Sequence, residues 1–224
     1  GGLFAVAVAL FALTPYKGIT PEKLPREAAA KEKKKEGKMF GGLVLLFAMA
    51  IGMYAAMENS QTFFIKPYFL EELSDPAHSG ICISIIWLSM IPSRLLAARM
   101  HHNKARLVII CFLVASLCGL GLALTRSSTL ALILCGLFGL AAGPAFTTIM
   151  SMSIDACPGH AGKASALLLC GGSVFGSVAS ISMGVVSDAI GVGSGFFIVA
   201  GFALLGAVVV YFAQKKAQKE KRLA

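Results

Sequence analysis

The sequence predicts an all-α polytopic membrane protein whose six transmembrane helices form two three-helix repeats. Three observations carry that prediction. Apolar residues fill 57% of the 224 positions and charged residues only 14%, against about 25% charge in a soluble domain, and mean hydropathy is +0.79. Apolar stretches recur at 40–67, 79–96, 105–124, 129–153, 164–186 and 194–213, each about the 17–25 residues, or slightly more, that a roughly 30 Å hydrocarbon core requires. Backbone amides left unpaired cannot sit in lipid, so these stretches read as helices. Finally, of the 20 Lys and Arg residues, all but Lys66 and Arg126 fall at alternate helix ends and therefore on one side. The positive-inside rule makes that side cytoplasmic. The net charge of +9 thus reports topology; spread over four separate segments, it gives no nucleic-acid surface.

Each segment follows in chain order. Residues 1–14, GGLFAVAVALFALT, are too short to cross and carry no basic leader, so they read as the end of a truncated transmembrane helix. Residues 15–38, PYKGITPEKLPREAAAKEKKKEGK, form a charged cytoplasmic loop with three prolines and a Lys/Glu run. The region 39–213 holds the six-helix transmembrane part, and 214–224 a basic cytoplasmic tail. The connections within 39–213 are short, so consecutive helices are expected to be neighbours. The stretch 105–124 has Ser116 as its one interior hydroxyl, and 194–213 has no polar side chain from Phe196 to Val210. The other four carry polar or small residues inside. The order polar, mixed, apolar therefore occurs twice, as in the repeats of secondary transporters, whose sites lie near mid-membrane. Ser173, Gly176, Ser177, Ser180 and Gly184 recur at helical spacing, reading either as tight packing or as a sliding face. Gly136, Gly139, Gly143 and Pro144 read as packing or as a hinge.

The polar cluster in MYAAMENSQTFF, residues 53–64, is the candidate site. Tyr54, Glu58, Gln61 and Thr62 follow the i, i+4, i+7, i+8 spacing of one helical stripe, with Asn59 on its flank. Nine mostly apolar residues follow before EEL marks water, which sets Glu58 about a turn from the centre of the 42–67 stretch. An ionisable group there costs roughly 2.5–3.5 kcal/mol to insert, so it faces a cavity or partner. Desolvation penalises a charged carboxylate, which suits a group that takes up and releases protons. The other reading is a Glu58 that snorkels to the outer interface near Lys66. The cysteines at 82, 111, 118, 135, 157 and 170 show no metal spacing and read as small packing residues. His78, His101, His102 and His160 fall in loops, and no GxSxG, HExxH or buried carboxylate pair appears, so no enzyme and no cofactor is expected.

Several stretches resemble the C-terminal half of a major facilitator superfamily transporter. YFLEEL looks like the end of helix seven, GLFGLAAGPAF like the glycine-rich helix ten, and PGHAGKASALLLCGGSVFG like the start of helix eleven. GVVSDAIG, with Gly184, Asp188 and Gly191, is similar to the Gly-x-x-x-Asp-x-x-Gly that ends helix eleven. SRLLAARMHHNKAR keeps Arg94, Arg99, Lys104 and Arg106 of the loop after helix eight but lacks its Asp. The resemblance implies one half of a 12-helix fold, whose partners are membrane lipid, a small solute, H+ and a missing N-terminal six-helix half. It implies alternating access in the plasma (inner) membrane, with Tyr54, Glu58, Asn59 and Gln61 binding substrate or proton. Arg94, Gly143, Pro144, Gly184, Asp188 and Gly191 would serve gating or structure. A polyol, a sugar or an organic cation fits such a lining. The alternative is a six-helix channel or a non-transporting scaffold.

Overall fold

The computed structural model describes residues 42–99, 103–157 and 161–223. The truncated helix at 1–14, the loop at 15–38, and His101, His102 and His160 lie outside the described residues. The chain runs through α1 (Gly42–Pro67), a π-helical turn (Tyr68–Glu72), the short α2 (Pro76–Ser79), α3 (Cys82–Ala98) and α4 (Lys104–Leu124). Three long helices follow, α5 (Ser128–Ala156), α6 (Ala161–Ile190) and α7 (Val192–Leu223). Five of these spans are long and apolar enough to cross a membrane, and α3 is a shorter apolar helix of 17 residues. The protein is an all-helical integral membrane protein.

Two boundaries differ from the apolar runs. The first span does not end at residue 67; it continues through the π-turn to Glu72. Pro67 cannot donate a backbone bond, and the widened turn carries the chain onward until Leu73 closes on the Tyr68 carbonyl. The tail after residue 213 stays helical to Leu223, because AQKKAQKEK is built from strong helix formers.

Helix neighbours follow the repeats and not the chain order. Consecutive α3 and α4 scarcely touch, and α1 meets α3 only lightly. The extensive contacts are α1 with α6, α3 with α5, α1 with α7, α4 with α5, and α4 with α7. Exchanging the triplet α1, α3, α4 for α5, α6, α7 turns the first contact into the second and the third into the fourth. The contact α4 with α7 maps onto itself. This is the pattern of two interleaved three-helix repeats. Of the consecutive pairs, α4 and α5 are extensive neighbours and α3 and α4 are not, so loop length alone does not set the neighbours.

Lipid supplies no hydrophobic drive between helices, so close backbone approach must hold them. Three of these five interfaces have a glycine seam. A Cβ on Gly139 or Gly143 would collide with the α3 backbone at Ile86 or Met90, and Gly143 also with Ser93. On α6, Gly171 lies against Ala48, Gly172 against Ile51, and Gly176 against Asn59. Gly119 of α4 sits on the α7 backbone at Ala200, where Ser116 also donates to the Ala200 carbonyl at 3.0 Å. The glycines of α5 therefore serve packing, and α5 runs unbroken across Pro144.

One end of the bundle is tied by Glu72. Its carboxylate accepts from the Gly193 N–H at 2.5 Å and from Arg126 at 2.7 Å. Tyr68 donates its hydroxyl proton to the closing carbonyls of α4, Leu122 and Thr125, 2.9 and 2.7 Å away. Gly191 ends α6 at φ +95°, a left-handed conformation that glycine adopts freely, and a Cβ there would also approach Glu72. Beside it, Asp75 caps α2 through the His78 N–H at 3.1 Å, and Pro76 takes the first helical position.

Gly139→Val should lower the thermal transition in detergent by an amount equivalent to about 1–3 kcal/mol, the usual cost of overpacking. Gly201→Ala, where no atom lies within 4 Å of the added Cβ, should raise it by up to about 1 kcal/mol. Equal responses from the two variants would sink the close-approach account. Hydrogen bonds from Ser128 and then His78 hold the Asp75 carboxyl below its usual range. A depressed folded pKa stabilises above the unfolded value of about 3.9 and loses that contribution as pH falls through the folded value. Asp75→Asn should therefore lower the melting temperature at pH 7 and converge on the native protein in strong acid.

Candidate functional site

Extension of the first span to Glu72 moves its midpoint to residue 57, so Glu58 stands at mid-span. Tyr54, Glu58 and Asn59 of α1 meet Phe146 of α5 and Gly172 and Ser173 of α6 around a cavity of about 190 Å³. The Tyr54 and Phe146 rings lie 5.7 Å apart at a tilt of 48°. Gly176 makes the room for Asn59, because a Cβ there would meet the Asn59 amide nitrogen at 2.5 Å. Glu58 is half-buried and opens into this cavity, whereas Lys66 is exposed two turns further along α1.

The charged neighbour of Glu58 is Arg94. It stands in α3, and its Nε donates to the Gly143 carbonyl of α5 at 3.2 Å. A terminal guanidinium nitrogen rests 3.9 Å from the Met90 sulfur. From there the guanidinium acts electrostatically on both Tyr54 and Glu58. Gly143 thus has two tasks: its bare Cα admits α3, and its carbonyl anchors the cation. Position alone in SRLLAARMHHNKAR assigned Arg94 to a loop pattern. The sequence signal that pointed deeper was the apolar IIWLSMIP before it.

Gln61 is fully buried and neither of its amide atoms has a hydrogen-bond partner among the described residues. The Ser60 and Thr62 hydroxyls are likewise unpaired, whereas the Tyr54 hydroxyl faces the Glu58 carboxyl. Each unpaired group costs about 1–3 kcal/mol when left unmade, and three successive residues of one helix is a concentration that packing alone does not favour.

The remaining predicted residues lie elsewhere. Pro144 is buried on α5, a Cβ added to Gly184 would lie 3.8 Å from the Phe64 ring, and Asp188 is exposed near the end of α6. The small-residue stripe of α6 divides: Gly176 is buried, Ser180 and Gly184 are half-buried, and Ser173 and Ser177 are exposed. Both exposed serines donate to carbonyls of their own helix, at 3.1 and 2.9 Å. The residue that sequence reasoning missed is Glu72, which the pattern marked only as the return to water. Its partners stand 54 and 121 residues away, a separation that carries no local signal.

The family model described as Major Facilitator Superfamily matches the chain twice, over residues 1–168 and 43–224. No curated protein matches. The chain belongs to the Major Facilitator Superfamily, a family of transporters.

Gln61 separates stability from activity. Gln61→Met should leave the thermal transition unchanged or raise it by about 1 kcal/mol, since an apolar isostere relieves two unpaired atoms, and should sharply reduce transport. Loss of stability together with retained transport would show Gln61 to be an ordinary core residue.

Proposed function

We propose that this chain is the C-terminal half of a proton-coupled secondary transporter that moves a small polar solute by alternating access. The observation that carries the reading is Glu58, a carboxyl at the middle of the first span that opens into a polar cavity between α1, α5 and α6. Tyr54 and Asn59 supply hydrogen-bonding groups to the same cavity, Gln61 is buried outside its lining, and the Arg94 guanidinium lies within electrostatic reach of the carboxylate. With a carboxylate and a guanidinium already matched, the lining suits an uncharged, hydroxyl-bearing solute such as a polyol or sugar better than an organic cation. Protonation of Glu58 removes that balance, so the proton and the solute compete for, or jointly set, the state of one site. This links proton entry to the conformational equilibrium.

The partner six-helix half belongs to the same reading. The equivalent helices α3 and α6 leave Trp87, Leu88, Ile91, Val174, Val178 and Ile181 exposed. These apolar faces flank the Glu58 cavity, where a second half would close it. The basic end lies in the cytoplasm by the positive-inside rule, in an inner or plasma membrane, with residues 15–38 as the loop between halves.

Glu58→Gln in proteoliposomes should abolish solute-driven proton movement while exchange of solute across the membrane survives. The solute panel should include polyols, sugars and organic cations. Unchanged proton flux would remove Glu58 from the coupling role and leave it a structural residue.

A further inference from the structure

At the basic end, α3, α4 and α5 enclose a second cavity of about 250 Å³, separate from the one that holds Glu58. Two cations face it, Arg94 at its inner side and Lys104 at the start of α4, together with the hydroxyl residues Thr147, Thr148 and Ser151 of α5. Lys104 reaches the Ser151 hydroxyl at 2.8 Å and Asp155 at 2.7 Å. The Thr147 hydroxyl donates to the Pro144 carbonyl at 3.1 Å. Asp155 is largely exposed, its side chain at 63%, so its hold on Lys104 is a screened surface pair of little net strength. Thr148 is buried beside these groups. The volume falls below the roughly 300–1,000 Å³ of sites for drug-sized ligands and suits a small, compact group. Two fixed cations with hydroxyls at one wall are the donor set that recognises tetrahedral oxyanions.

We propose that this cavity is a binding site for a phosphate-type oxyanion, held by Lys104, Arg94 and the hydroxyls of Thr148 and Ser151. Two sources carry that chemistry: the headgroup of an anionic phospholipid and free phosphate. The end of the bundle that holds nearly all the basic residues favours either, because it concentrates anions. Asp155 competes with the anion for Lys104. Removing Asp155 and removing Lys104 therefore act in opposite directions, which a plain structural ion pair does not do. The site shares Arg94 with the Glu58 reading, and its test reads binding at Lys104, not transport.

Purified protein stripped of lipid in detergent is titrated with short-chain phosphatidylglycerol, with phosphatidylcholine at equal concentration, and with inorganic phosphate, following the thermal transition. Phosphatidylglycerol should raise the transition saturably and phosphatidylcholine should not. A matching response to inorganic phosphate assigns the site to free anion, and no response to it assigns the site to the lipid headgroup. Lys104→Gln and Ser151→Ala should each weaken the apparent affinity, the former about tenfold. Lys104→Arg should retain it, Asp155→Asn should tighten it severalfold, and Lys66→Gln at the opposite end should leave it unchanged. A titration that does not saturate overturns the proposal. So does an affinity indifferent to Lys104→Gln, or one weakened equally by Lys104→Gln and Asp155→Asn.

Discussion

Close backbone approach at three helix pairs is the constraint on which the rest of the molecule depends. In water, apolar faces would hold these helices together whatever their detail; in lipid that force is absent and contact distance matters most. Gly139 and Gly143 bring α5 onto α3, Gly171, Gly172 and Gly176 bring α6 onto α1, and Gly119 brings α4 onto α7. The first two pairs are equivalent under exchange of the triplets and the third is its own equivalent. Two repeats that close on each other in this way leave the first helix of each, α1 and α5, facing one another across the Tyr54–Phe146 contact. The site follows from the packing: it forms where the repeat axis passes and where the seams leave room for side chains.

That arrangement explains why α1 carries what other helices avoid. It is the most enclosed of the spans, with 61% of its apolar window buried, yet it holds Glu58, Asn59, Ser60, Gln61 and Thr62 in succession. A sequence under selection for stability alone would replace them with Leu, Ile or Ala. The seams elsewhere are consistent at every level, with glycine where backbones meet and large apolar groups where they do not. Among the described residues, Ser153 and Ser187 also bury single unpaired hydroxyls, but the polar run concentrates such groups in one stretch.

The sequence showed the helices readily because span length is set by the bilayer, and apolar runs report it directly. The candidate stripe was legible for a similar reason, since helical spacing alone places Tyr54, Glu58 and Gln61 on one face. Three things were hidden. Neighbour relations were hidden because short loops constrain helix ends while the glycine seams, read only as packing or hinge, decide which faces meet. Arg94 as the neighbour of Glu58 was hidden because the contact joins α1 to α3 through the Gly143 carbonyl of α5. Glu72 was hidden because two adjacent glutamates after an apolar run look like solvent, and only the folded bundle brings Arg126 and Gly193 to them.

The two ends of the bundle are tied by different contacts. Opposite the basic end, the Glu72 carboxylate is 18% exposed and accepts from the Arg126 guanidinium, itself 75% exposed, and from the Gly193 amide in the first turn of α7. The positive end of the α7 dipole adds to that hold. Tyr68 fastens α4 to the same π-turn, with its ring against Phe196 of α7 at 5.2 Å. At the basic end, Lys104, 30% exposed, pairs with the more open Asp155, 63% exposed, at 2.7 Å. The two ties therefore differ in reach: Glu72 joins the π-turn to the loop after α4 and to α7, whereas Lys104 and Asp155 join α4 to α5.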